Sequence, residues 1–147
     1  RVTSMHTRGV AAMSGTFGYE LNPALLSVEE KAEIRTQLAK YREHQELIRE
    51  GSYYRLSDPF QDEISAWMVV SENQEQALVS VVRLSAEANA PATYVTLKGL
   101  AEDTFYLDKT TGKVYPGAAL MEAGILLPVA GQEYEAYQIV LQKVEEK

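Results

Sequence analysis

Cysteine is absent from this 147-residue chain, and histidine occurs only twice, as His6 and His44. Without a thiol there is no disulfide framework, no thiolate zinc site and no cysteine nucleophile. Two imidazoles are too few for a His-rich metal centre. No apolar run approaches the roughly 20 residues needed to span a bilayer; Ile125-Leu126-Leu127 is stopped by Pro128. Glycines in a phosphate-binding pattern are also missing, because Gly15-x-x-Gly18 has neither the Lys and Ser/Thr of a P-loop nor a third Gly. A Gly-x-Ser-x-Gly nucleophile elbow does not occur. Positive charge is scarce: 14 Lys and Arg against 21 Asp and Glu give a net charge of −7. That sign repels nucleic acid and anionic membranes, so neither is expected as a partner. The first residue is Arg1, not Met, and no charged segment leads into an apolar one. We read this as a processed chain or a piece of a longer polypeptide.

What is present divides near Gly51. Residues 1–50 hold seven acidic and seven basic groups, so the entire −7 falls on residues 51–147. In the first part, Ser27-Val28-Glu29-Glu30 fits a capping box. Ile34, Leu38, Tyr41 and Ile48 recur at helical spacing, which predicts a helix over 28–50 that is about 34 Å long. Gly51 is expected to close it in a left-handed conformation. Glu29, Glu33, Arg35, Lys40, Arg42 and Glu46 mark its solvated face. Upstream, Thr7 to Met13 suits one or two helical turns, and Ser14 to Leu21 reads as a short strand punctuated by glycine. Helix, strand and long helix make one α/β step. A lone strand has no ladder partner here, so this part is not a self-sufficient fold.

Beyond Gly51 the period becomes two. Tyr53–Leu56, Ala66–Ser71, Ala77–Ala86, Tyr94–Leu97, Thr104–Leu107, Lys113–Tyr115 and Tyr134–Val144 read as strands, the last with Tyr137, Ile139 and Leu141 on one face. Asp58-Pro59, Glu72-Asn73, Asn89-Ala90-Pro91, Lys98-Gly99 and Thr110-Thr111-Gly112 supply the turns. Seven short strands at this spacing predict an antiparallel sandwich or barrel.

Candidate chemistry is sparse. Asp58, Asp62 and Glu63 suggest a calcium loop, but they lack the alternating ligands and central Gly of an EF-hand, and a solvated acidic loop is the ordinary reading. His44 lies in the long helix beside Tyr41 and Glu43, an interface or surface histidine unless a substrate and an orienting partner face it. His6 carries no assignment. Tyr53, Tyr54, Trp67, Tyr94, Tyr106, Tyr115, Tyr134 and Tyr137 allow a carbohydrate-binding module that stacks sugars, against the ordinary preference of half-buried sheets for aromatics. Trp67, between Ala66 and Met68, reads as core.

Several blocks in order resemble one known family. Residues 5–21, Met-His-Thr-Arg-Gly-Val-Ala-Ala-Met-Ser-Gly-Thr-Phe-Gly-Tyr-Glu-Leu, resemble the end of the catalytic barrel in family 36 glycoside hydrolases, the bacterial-type α-galactosidases. Ser27 to Lys31 and the helix after them are similar to that barrel's last helix. Gly51-Ser52-Tyr53-Tyr54-Arg55-Leu56-x-x-Pro59-Phe60 resembles the entry into the family's C-terminal β-domain, and Ala66 to Ser71 with Ala77-Leu78-Val79 its next hairpin. Leu97-Lys98-Gly99-Leu100 and Gly117-x-x-Leu120-Met121-x-x-Gly124-Ile125-x-Leu127-Pro128 continue the likeness.

The resemblance implies a mainly β fold: an antiparallel β-sandwich over 51–147, preceded over 1–50 by the last α/β step and final helix of a (β/α)8 barrel. It implies a retaining parent enzyme with two catalytic aspartates about 5 Å apart. In the family these lie in Lys-Trp-Asp and Ser-Asp-Asp motifs, and neither occurs here. No residue therefore inherits a catalytic, cofactor-binding or metal-binding role, and no cofactor is expected. The implied partners are the rest of the parent polypeptide, an α-galactoside such as melibiose or raffinose, and a second copy in a homo-oligomer, in a cytoplasmic setting. A related α-N-acetylgalactosaminidase or galactosyl-transfer activity fits the same resemblance.

Overall fold

A computed structural model describes residues 3–86, 91–128 and 132–145. Helix α1 spans Met5–Ala12 and α2 spans Val28–Glu50. Ser4 caps the first by accepting from the Thr7 amide at 3.0 Å. The expected capping box closes the start of α2: Glu30 N donates to Ser27 Oγ at 3.1 Å and Ser27 N donates to Glu30 Oε2 at 3.0 Å. Gly51 corrects an expectation. Its φ of −71° and ψ of 160° are extended, not left-handed. Glycine is needed there for space, since a Cβ would lie 2.5 Å from the Leu47 carbonyl oxygen and 2.9 Å from that of Val70.

The strand expected over 14–21 does not form. The chain there is irregular up to a 3₁₀ turn at Pro23–Leu25, so residues 3–50 contain two helices and no α/β step. The reason is the missing ladder partner, without which an extended segment leaves its backbone groups unpaired. Side chains hold the segment instead. The Phe17 ring lies 5.1 Å from the rings of both Tyr19 and Tyr41, and Tyr19 Oη donates to Gln37 Oε1.

The rest is an antiparallel β-sandwich. Strands β1 (Ser52–Arg55), β2 (Ile64–Val70), β3 (Gln76–Arg83), β5 (Phe105–Asp108), β6 (Val114–Pro116) and β8 (Ala136–Val144) form one sheet in the order β1-β2-β3-β8-β5-β6. β4 (Tyr94–Val95) pairs with β7 (Ile125–Leu126) in a small second sheet, and a short helix α3 spans Gly117–Glu122. The strand over 77–86 stops at Arg83, and the turn at Asn89-Ala90 lies outside the described residues. Helix α3 and strand β7 carry too few residues for a periodic signal.

One face of the large sheet presents Met68, Val70, Val79, Val81, Ile139 and Leu141 to the second sheet, where Leu97, Leu100, Leu120, Ile125 and Leu127 complete the core. Tyr137 lies on this face with Ile139 and Leu141, as their spacing predicts. The opposite face is covered too. Trp67 and Val82 meet Val10 of α1, and Val69 and Leu78 meet Leu47 of α2. β2 and β3 are thus buried on both sides, so their apolar runs are nearly continuous.

Candidate functional site

The most elaborate constellation in the chain is the junction where α1 and α2 lie on the outer face of the large sheet. Its apolar part comes from the alternation of β2 and β3: Met68 points to the sandwich interior, and its neighbours Trp67 and Val69 point to the helices. Each buried side chain of this size contributes about 1.5–3 kcal/mol. Trp67 is therefore core, but core of the junction rather than of the sandwich.

A polar cluster joins the two helices. Gln37 is buried, and its Nε2 donates to the Met5 carbonyl at 3.0 Å and to Glu33 Oε1 at 2.8 Å. His6 Nδ1 reaches the same Glu33 oxygen at 3.0 Å. The hydrogen bond from Gln37, followed by the His6 contacts, holds the Glu33 carboxyl below its ordinary range despite partial burial. Gly9 is the residue that admits Gln37, because a Cβ at Gly9 would sit 2.3 Å from its amide. From α1 to the turn before β8, Thr7 Oγ1 donates to the Tyr134 carbonyl at 2.6 Å.

The apolar stripe read from the sequence is not the face that docks. Gln37, His44 and Leu47 are the buried residues of α2, while Ile34, Leu38, Tyr41 and Ile48 are half-buried along one flank. At 100° per residue the two directions differ by roughly a quarter turn. Lys40, assigned to the solvated face, is half-buried beside His44.

His44 is 5% exposed, and burial pushes its imidazole below the ordinary histidine value; Glu43 opposes this shift and Lys40 and Lys109 add to it. The unfolded chain binds this proton more readily than the folded one, so stability from His44 is present above about pH 6.5 and is lost as pH falls below it. We expect the thermal midpoint to drop between pH 7.5 and 5.5, and His44→Gln to flatten that interval in a calorimetric pH series. The steeper loss in the carboxylate range, to which Glu33 contributes, should remain in the variant.

The other sequence candidates lie apart from this junction. Asp58 and Asp62 spend their carboxylates on their own loop, accepting from Phe60 N at 3.0 Å and Asp58 N at 2.7 Å. Among the described residues, no group of three or more His, Asp and Glu is placed to hold a metal ion. Tyr106 is fully buried, and Tyr54, Tyr115 and Tyr137 pack on the sandwich core. Tyr53 and Tyr94 are 54% and 57% exposed but lie on different sheets, and among the described residues no two tyrosine rings of the sandwich touch. Gln37 and Gly9 were invisible as site residues in the sequence; a glutamine and a glycine at helical positions carry no signal until two helices cross.

Comparison with known proteins fits this geometry. The profile of the glycosyl hydrolase family 36 C-terminal domain matches residues 64–141, more than half of the chain. The chain belongs to glycoside hydrolase family 36. The Melibiase profile matches residues 1–51, the part of this family-36 chain that holds α1 and α2. The chain is 62% identical over 146 residues to the bifunctional alpha-galactosidase/sucrose kinase AgaSK of Mediterraneibacter gnavus, covering 99% of this chain and 16% of the relative. Against alpha-galactosidase AgaA of Geobacillus stearothermophilus it is 44% identical over 134 residues, covering 91% of this chain and 18% of AgaA. The galactosidase domain of AgaSK superposes with a TM-score of 0.96 at 62% identity, over 98% of this chain and 20% of that one. An AgaA variant in complex with raffinose superposes with a TM-score of 0.94 at 42% identity, over 98% of this chain and 20% of that one. The family-36 chain thus spans only 16% and 18% of the length of these two relatives. Among the described residues, no helix is long and apolar enough to cross a membrane.

Proposed function

We propose that this chain is the C-terminal, non-catalytic portion of a retaining α-galactosidase that removes terminal α-linked galactose from oligosaccharides such as melibiose and raffinose. The observation that carries the reading is the order of the two profiles: Melibiase ends at residue 51 and the family-36 C-terminal domain begins at residue 64. Residues 1–50 then supply the closing helices of the catalytic barrel and residues 51–147 the β-domain. The paired carboxylates of a retaining mechanism belong to earlier barrel strands.

What this chain's residues do in that reaction is hold the barrel. Trp67, Val69, Leu78 and Val82 form a rigid floor under α1 and α2. Gln37 and Glu33 keep the two helices in fixed relation. Catalytic geometry is sensitive to shifts of about 1 Å, so a fixed closing helix supports rate as well as stability. The half-buried flank of α2, Ile34, Leu38 and Tyr41, offers apolar surface toward the preceding barrel. Complexes of relatives with raffinose and stachyose support an oligosaccharide substrate. A homo-oligomer contact belongs to the same reading; the exposed apolar side chains Tyr53 and Val114 lie at opposite edges of the large sheet, on β1 and β6. The family resemblance carries a cytoplasmic setting, which fractionation of source cells checks.

Joined to the barrel that precedes it in its parent polypeptide, the chain should take part in hydrolysis of p-nitrophenyl α-galactoside and raffinose, with retention seen by NMR of the first-formed product. The 147 residues alone should give no turnover and no saturable heat with galactose, melibiose or raffinose. Turnover that survives repurification of the chain alone, or inversion by the joined protein, overturns the proposal. Saturable heat from the chain alone favours a carbohydrate-binding module.

A further inference from the structure

A groove of about 480 Å³ opens between α2 and the turn that joins β5 to β6, on the side of the helix away from Ile34, Leu38 and Tyr41. Thr36, Lys40, Glu43 and His44 line it from α2, Lys109 and Thr110 from the turn, with Ala39 and Val140 as its apolar wall. The chain carries a net −7, yet two ammonium groups meet here. Among the described residues, neither Lys40 nor Lys109 lies within ion-pair distance of a carboxylate. The 5%-exposed ring of His44 makes no hydrogen bond, and neither does the Thr110 hydroxyl. Among the described residues the fully buried side-chain atoms left without a partner are Arg83 Nε and Tyr137 Oη, not those of His44, so its ring nitrogens keep access to solvent although the residue is buried. The Glu43 carboxylate stands 3.9 Å from His44 Nε2 with its side chain 63% exposed, so it is free to turn to solvent.

We propose that this groove binds a phosphoryl dianion, held by Lys40, Lys109 and the Thr110 hydroxyl against the imidazole of His44. Lys40, His44, Lys109 and the Thr110 hydroxyl line one groove from two elements, and a tetrahedral oxyanion has acceptors to offer on every side. With Glu43 at the mouth the two lysines leave a net charge of +1, and a protonated His44 brings the groove to +2, the charge that a dianion matches. Two sources share the chemistry, inorganic phosphate and the phosphate of a small sugar ester, and the Ala39–Val140 wall gives the ester a surface for its carbon skeleton.

The titratable groups facing His44 are Lys40 and Glu43 on its own helix and Lys109 on the turn. A bound dianion reverses the effect of the two lysines, so ligand and proton bind cooperatively at His44. The test is a titration of the 147-residue chain with sodium phosphate and separately with galactose 6-phosphate, followed by amide and imidazole NMR at constant ionic strength, with sodium chloride as control. We expect saturable shifts at Lys40, His44, Lys109 and Thr110, movement of the His44 titration to higher pH, and affinity that increases as pH falls toward 6. The double variant Lys40→Gln, Lys109→Gln should keep a dispersed spectrum and lose affinity at least about tenfold, the effect of one lost charge-assisted bond. Tighter binding of the ester than of phosphate assigns the apolar wall to the sugar; equal binding assigns the site to the free ion. Shifts that rise linearly and match sodium chloride, or saturable binding unchanged in the double variant, overturn the proposal.

Discussion

Gly117→Ala is expected to lower the thermal midpoint by about 10 °C or more, a loss of about 3 kcal/mol at this chain length. Gly117 opens α3, and its amide donates to the Thr104 carbonyl at 2.8 Å. That bond draws the helix start onto the 101–104 loop so closely that a Cβ would lie 1.9 Å from the Ala101 carbonyl oxygen and 3.2 Å from the Tyr106 ring. Backbone cannot rotate away as a flexible side chain does, so either the helix start or the loop must shift. Gly15 and Gly18 are the controls. Both lie outside helices and strands with nothing within 4 Å of an added Cβ, so alanine there should be neutral within about 0.5 kcal/mol. A Gly117→Ala chain that melts with the parent would show that the α3 contact is not formed in solution.

The second large effect is at Tyr106, which is fully buried on the inner face of β5. Its hydroxyl donates to the Gln74 carbonyl at 2.7 Å and accepts from the Ala101 amide at 3.0 Å. Tyr106→Phe removes only the oxygen, leaving the half-buried Gln74 carbonyl and Ala101 amide without that partner, at a cost of about 1–3 kcal/mol. Tyr106→Ala adds a cavity at the centre of the sandwich and should cost about 3–5 kcal/mol. The phenylalanine variant also tests a local device. Gln74 turns the β2–β3 hairpin with φ of 56°, a conformation unfavourable for residues other than glycine, and Tyr106 holds the Gln74 carbonyl while the Gln74 side-chain Nε2 donates to Gly99 O at 3.0 Å. In Tyr106→Phe, hydrogen exchange at the hairpin should accelerate more than at β8. Denaturant melts with both variants measure the pair, and a phenylalanine variant as stable as the parent would mean the hydroxyl bonds contribute nothing.

These two sites share the 101–106 loop, so the double variant should be non-additive. The Tyr106 ring and Gly117 lie on the side of the large sheet away from α1 and α2. Their loss should therefore unfold the β-domain without first releasing the helices, the opposite order from lesions at Trp67 or Leu78.

The sequence by itself determined the local elements whose signals are local. Ser27 and Glu30 are three residues apart, so the start of α2 was written in one turn of chain, and Gly51 marked its end, though through crowding rather than through a left-handed cap. Alternation placed most strands and put Tyr137, Ile139 and Leu141 on one face. Under the family resemblance, the absence of Lys-Trp-Asp and Ser-Asp-Asp motifs gave the expectation that no catalytic residue lies in residues 1–147. Tertiary structure decided the rest, because the deciding contacts join residues far apart. The insertion of β8 between β3 and β5, the burial of β2 and β3 on both faces, and the rotation of the docking face of α2 from its apolar stripe to Gln37, His44 and Leu47 depend on which surfaces meet. The strand expected over 14–21 failed for the same reason: a strand is a pairwise property, and its partner was not there to pair.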